Sequence, residues 1–495
     1  MSLGLRAGQI RSSQSSARRL IPAVSMPDSD TPPFSPDPTS SPGPLRADIE
    51  RFLAFANEAW LSGDAARRQS AFAASSQMLE RLKTATAADG LDAALVAAVW
   101  LVRGHLLETQ PDPQQVLEAL RCYENAIATL RRQPPGGPGA ATGAAPPRLT
   151  APLAGAWMNR ANALLRFGTP EAFEEAIRNY DQALALWKNV PDDDPSMPRN
   201  AAGAAWMNRG NALLQLGGEE RLPEALRSFD EALALLEPLA ARGEPAACRN
   251  LASVCGNRGL VLMARGDAAG IADAIALHER AVATLRPLAT ADAPGIRIEL
   301  AGALLNLGQA RWASAQTPAA LAELREVLQL VASREADDLR AADTGLRARH
   351  AACVIFAAQI AQSRPGGEER AALVAEAGDF ADEGLALART WAARGDWLQP
   401  AATRLYEFGA WLYRTQQPRF LAEFLLEFLG DNDEPRRRIA AHAVTAARQK
   451  LVQNGFAGMS GDALQDALDL LQSLHDVEER LAPPAPSGAG EVGNL

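Results

Sequence analysis

Cysteine, histidine and aromatic residues are all scarce in this chain. Its 495 residues include four cysteines and five histidines, and aromatics make up only 5%. Cys122, Cys248, Cys255 and Cys353 form no CxxC pair, and the Cys248–Cys255 spacing is poor for a metal. Each lies in a helical pattern, the setting of buried thiols in a reducing compartment, so a cytoplasmic location is expected. The histidines (His105, His278, His350, His442, His475) are scattered, with no HExxH and no i, i+4 pair. That excludes the usual metal and triad arrangements. No GxxxxGK[ST] or GxGxxG motif follows a strand pattern, so neither a cofactor, a metal nor an enzymatic activity is expected. Long apolar runs are also missing. Ala93 to Val102 is closed by Asp92 and Arg103, far short of the roughly 20 residues a membrane crossing needs. No hydrophobic signal core appears at the start. Positive charge is outnumbered, with a net charge of −10. This argues against nucleic acid or an anionic membrane as a partner, and is also the ordinary signature of a soluble protein.

What is abundant is alanine within a hydrophobic fraction of 47%, which suits closely packed helices better than sheets. The chain is too long for one core, so several domains or an extended array are expected. Residues 1–44 end in a proline-rich polar stretch that reads as a disordered leader, with Met26 as an alternative start. Arg6, Arg11, Arg18 and Arg19 in this leader lack the apolar face of a transit peptide. Helical pairs follow over 45–132. A Pro/Gly/Ala-rich insertion occupies 133–150, a core of repeats 151–335, divergent helical pairs 336–481, and a disordered tail 482–495. About nine helical pairs fit the apolar periodicity. Asp112-Pro113, Thr169-Pro170 and Thr317-Pro318 read as helix starts, with a capping side chain before a proline at the first helical position. Gly168, Gly217 and Gly266 read as helix ends.

The core repeats itself. Asn159, Asn208, Asn257 and Asn306 recur every 49 residues in the related phrases AWMNRANALL, AWMNRGNALL, SVCGNRGLVL and ALLNLGQARW. A fixed period on this scale marks an array of supersecondary units. Arg103, Arg160, Arg209 and Arg258 lie in the first helix of successive pairs, each followed by a small residue (Gly104, Ala161, Gly210, Gly259). Tyr123, Tyr180, Phe229 and His278 lie 20 residues later in the second helix. Large residues facing small ones let neighbouring backbones approach, so each pair buries its apolar face on the next. Glu124, Asp181, Asp230 and Glu279 follow the aromatic position, and the arginine and acid columns are expected to form structural salt bridges.

The run Trp157, Ala161, Leu164, Gly168, Ala176, Tyr180 and Ala183 resembles the tetratricopeptide repeat. The resemblance implies an all-α solenoid of helical pairs serving as a protein-interaction scaffold for another protein or peptide. It departs from the family in period, since the usual unit is about 34 residues. The extra length is expected in a longer turn within each pair and a longer linker between pairs. The resemblance also implies a concave groove lined by Met158, Asn159, Asn162, Met207, Asn208, Asn211, Asn257, Asn306 and Gln309. A ladder of asparagines at one phase is similar to that lining the peptide-binding superhelix of O-linked N-acetylglucosamine transferases. Carboxamides can bond an extended peptide backbone, and methionines supply adaptable apolar contact. The same asparagines can instead bridge neighbouring helices. The lysines of a chaperone-tail clamp are replaced by Met158, Met207 and Leu305. An alternative function is self-association through the nearly all-apolar FLAEFLLEFL, residues 420–429.

Overall fold

The computed structural model describes residues 45–62, 64–85, 91–108, 113–132, 147–188, 198–363 and 368–392, with Gln472 and His475. Among these residues the structure is all helical, without strands. The segment 420–429 lies outside them. The chain divides into two compact units, Met1–Gly266 and Asp267–Leu495. The boundary falls inside the stretch 151–335, read from the sequence as one core.

The N-terminal unit holds α1 (Leu45–Ser62), α2 (Ala65–Lys83), α3 (Ala93–Glu108), α4 (Pro113–Arg131), α5 (Pro147–Leu164), α6 (Pro170–Lys188), α7 (Arg199–Leu216), α8 (Leu222–Ala241) and α9 (Pro245–Arg265). The strongest packing is within the pairs α3/α4, α5/α6 and α7/α8, and each second helix packs in turn on the next first helix. The pairs are tetratricopeptide-like in their large-to-small fit. A Cβ added at Gly104 would sit 2.5 Å from Cε1 of Tyr123, and one at Gly210 would sit 2.7 Å from Cε1 of Phe229. Both aromatics are fully buried, as is Tyr180 beside Ala161. Glycine is therefore required at 104 and 210 by close approach, since both have ordinary helical backbone.

Helix boundaries follow the expected chemistry with three corrections. Thr169 caps α6, its Oγ1 accepting from the Ala172 amide at 3.3 Å. Gly168 and Gly266 end their helices in the left-handed conformation (φ 69° and 71°), and Gly217 also has positive φ. Thr317, however, is already helical, and the capping position falls on Gln316 with no side-chain bond. The segment 133–150 is also shorter than its composition implies, because α5 begins at Pro147, where a proline is tolerated in the first turn. Thirdly, the turn within the pair is not long in α5/α6. Only Gly168 and Thr169 separate the end of the first helix from α6. Part of the additional length lies in the helices, which reach 19, 18, 20 and 21 residues in α6, α7, α8 and α9. The rest lies between elements, with five residues, 217–221, between α7 and α8 and a ten-residue linker, 189–198, between the pairs α5/α6 and α7/α8.

The C-terminal unit holds α10 (Ala268–Leu285), α11 (Pro294–Ala313), α12 (Thr317–Val331), α13 (Leu339–Gln362) and α14 (Glu368–Ala392). Helices α11/α12 and α13/α14 form its pairs. His278 of α10 is completely buried, and neither ring nitrogen has a hydrogen-bond partner. Burial holds its pKa down at about 4. A base whose folded pKa lies below its unfolded value contributes full stability above the unfolded pKa. That stability is lost as pH falls from about 6.5 through about 4. The expected loss across this window is about 3 kcal/mol. His278→Phe, which places here the residue found at 229, should flatten the acid limb of a stability–pH curve measured by urea unfolding. An unchanged acid limb would show that other groups govern it.

All four cysteines are free and buried. Burial raises the Cys122 thiol to about 11 and pushes Cys248 and Cys353 upward as well, so the unreactive thiol form dominates at neutral pH. No helix of the described residues is long and apolar enough to cross a membrane.

Candidate functional site

The arginine column does form ion pairs, but each reaches backward to the preceding pair. Arg160 of α5 meets Glu124 of α4 at 2.9 Å, Arg209 of α7 meets Asp181 of α6 at 2.7 Å, and Arg258 of α9 meets Asp230 of α8 at 2.9 Å. A second acid comes from the same pair, Glu175 for Arg160 at 2.6 Å and Glu224 for Arg209 at 2.5 Å. These second acids escaped sequence reasoning although they too recur at 49 residues. Arg160 and Arg209 are thus each a staple across three helices, while Arg258 joins α9 to α8. Their acids stay half exposed, so each arginine contributes modestly to stability and mainly fixes register. Arg103 differs, donating to Ser75 and Ser76 of α2 at 3.0 and 2.7 Å and covering Phe72. In the C-terminal unit, Leu307 stands where the arginine would be. Arg311, one turn later on the same helix face, takes the role with Glu279 at 3.0 Å and Glu323.

The expected groove residues lie deeper than a groove requires. Met158 and Met207 are fully buried, which corrects their reading as groove contacts; they are core. Asn159, Asn208, Asn211 and Asn257 are buried too, while Asn162 is half-buried. Their amides bond to one another. Asn208 Nδ2 donates to Asn162 Oδ1 at 3.0 Å, and Asn257 Nδ2 donates to Asn211 Oδ1 at 2.9 Å. Tyr180 adds its hydroxyl to Asn162 Oδ1 at 2.6 Å. A third amide pair, Asn250 to Asn200 at 2.9 Å, lies nearer the helix starts. The repeat has therefore built a hydrogen-bonded stitch between successive first helices, the bridging alternative open at the sequence level. Asn159 Nδ2 is enclosed without an acceptor. Asn306 and Gln309 are half-buried on α11 in the C-terminal unit.

Among the described residues of the N-terminal unit, a cleft of ≈ 670 Å³ opens between two second helices, α4 and α6, with Trp157 and Arg160 of α5 between them. One wall presents Glu124, Ile127, Ala128 and Arg131, a single face of α4 at i, i+3, i+4 and i+7. The other presents Glu175, Arg178, Asn179 and Gln182 of α6. Trp157 is partly exposed, and the Arg131 guanidinium lies over its ring at 4.9 Å, a cation–π contact. Sequence reasoning treated Trp157 only as a packing residue. What it missed is that the walls leave this ring open. Among the described residues, no group of His, Cys, Asp and Glu could hold a metal ion.

No family model matches the sequence, and no curated protein matches it. Solved structures with similar helical arrays include the apo form of the quorum sensor NprR from B. thuringiensis. It is 12% identical, with a TM-score of 0.48 over 88% of this chain and 98% of that one. A Rap protein complexed with Competence and Sporulation Factor is 13% identical, with a TM-score of 0.41 over 88% of this chain and 99% of that one. BtubC from P. vanneervenii is 19% identical, with a TM-score of 0.38 over 59% of this chain and 92% of that one. Likeness at this level says nothing about what the chain binds.

Proposed function

We propose that this chain is a protein-interaction scaffold that holds an extended segment of a partner in the cleft between α4 and α6. The observation that carries this reading is the partly exposed Trp157 flanked by two helix walls. Its ring offers a large rigid apolar surface, the kind of residue that dominates binding energy when a partner covers it. The volume falls within the roughly 300–1,000 Å³ of ordinary ligand sites. By contrast, the asparagine amides are engaged with one another, so a peptide backbone could reach them only by breaking the stitch. Partner recognition by the outer, second-helix side leaves that stitch intact.

Random dodecamer peptides displayed on phage and selected on the wild-type chain provide the test. Ala128 is exposed on the α4 wall, and Ala128→Trp fills the cleft at little cost in stability. Selected peptides should lose affinity for this variant by about tenfold or more. Equal binding to both proteins, or selection of no peptide at all, would remove the cleft from consideration.

A further inference from the structure

We infer that the partner segment taken by this cleft is acidic. The inference rests on the cleft reading above and names its ligand class. Six charged side chains line the cleft: Arg131, Arg160 and Arg178 against Glu124, Glu175 and Asp181. A simple sum suggests neutrality, but the pairing is uneven. Glu124 and Glu175 are both held by the single guanidinium of Arg160. Asp181 is held from outside the cleft by Arg209 at 2.7 Å. All three acids therefore have arginine partners, and among the described residues Arg131 and Arg178 have no acidic one.

These two cations stand on opposite walls, Arg131 on α4 and Arg178 on α6, and both are exposed. A guanidinium presents a planar fork of donors that matches a carboxylate at two points and loses little hydration in doing so. Arg131 already rests on the Trp157 ring, which restricts its conformations and lowers the entropy lost on pairing. A basic segment would meet these cations with no uncommitted acid to offset them, which selects against it. The chain as a whole carries −10 and repels an acidic partner at long range. Recognition must therefore come from direct contact with these two side chains.

The peptides selected above supply the test. Their sequences should be enriched in Asp and Glu over the starting library. A synthetic peptide from the pool should lose about tenfold or more in affinity when its acids are replaced by the matching amides. Arg131→Gln combined with Arg178→Gln should give a comparable loss with melting unchanged, since both side chains are exposed. The amide peptide leaves the protein untouched and so decides the matter if the double variant folds poorly. A pool that is neutral or basic, or an amide peptide that binds as well as its parent, overturns the inference. In that case sensitivity to Ala128→Trp would still uphold the cleft as the binding place.

Discussion

Glu335→Ala is expected to destabilise the C-terminal unit by about 3 kcal/mol, the lower end of the cost of removing one partner of a buried ion pair, because Glu383 still reaches Arg349. Arg349 of α13 and Glu335, which precedes it, are 8% and 9% exposed. They meet at two points, Nη1 to Oε1 at 2.6 Å and Nη2 to Oε2 at 3.3 Å. Arg349 Nε also reaches Glu383 of α14 at 3.1 Å, and Trp391 Nε1 donates to the Glu335 carbonyl at 2.8 Å. The carboxylate of Glu335 thus ties the turn before α13 to Arg349, while its backbone carbonyl holds the far end of α14 and would do so with any side chain at 335. Space for the carboxylate exists because position 345 is glycine; a Cβ there would fall 1.7 Å from Glu335 Oε1. Equilibrium unfolding in urea is the measurement. Replacing both partners by apolar residues of similar size should recover most of the loss, because no charge is then left alone. A single-variant loss below about 1 kcal/mol would mean that water reaches Arg349 and the pair is a surface one.

The second large effect concerns the notch in which Phe229 sits. Phe229→Ala should cost about 3–5 kcal/mol, since the ring is fully buried and its removal leaves a cavity. Gly210→Ala should cost about 1–3 kcal/mol by overpacking, because the new Cβ would sit 2.7 Å from the ring. Combining Gly210→Ala with Phe229→Leu should cost clearly less than the two single losses together. Strict additivity would contradict direct contact between these positions. Tyr123 over Gly104 has the same geometry, so the result extends to the first of the repeated pairs.

The helices and their large-to-small packing were legible because a 49-residue period repeats every packing contact several times. The phase of Arg160, Arg209 and Arg258 predicted ion pairs for the same reason. Their direction was not legible, since Glu124 and Asp181 are equally placed in sequence to meet an arginine of their own pair or the next. The asparagines were ambiguous on chemistry as well. A carboxamide at one phase suits a bound backbone or a neighbouring amide, and only the spacing of α5, α7 and α9 decides between them. Met158 and Met207 were misplaced because phase gives the face of a helix but not how closely the next helix covers it. The cleft was hidden because Trp157, Arg160, Glu175, Arg178 and Asp181 have counterparts 49 residues on. The pattern therefore marks them as packing residues and does not show which ring is left open. The Glu335–Arg349 pair has Arg286 and Leu300 at the preceding period, so no repeat announces it. Residues 393–471, where the apolar helix was expected, lie outside the described structure.

The most direct test of the whole account is a crossed one, in which urea unfolding and binding of a selected peptide are measured on two variants. In Asn162→Ala with Asn208→Ala, the stitch between α5 and α7 is cut, and in Ala128→Trp the cleft is filled. The expected result is that the amide variant loses about 2 kcal/mol of stability yet, while folded, binds the peptide with wild-type affinity. The cleft variant should keep its stability and lose binding. A folded amide variant that no longer binds, beside an Ala128→Trp protein that still does, would put the partner on the asparagine face and contradict the account.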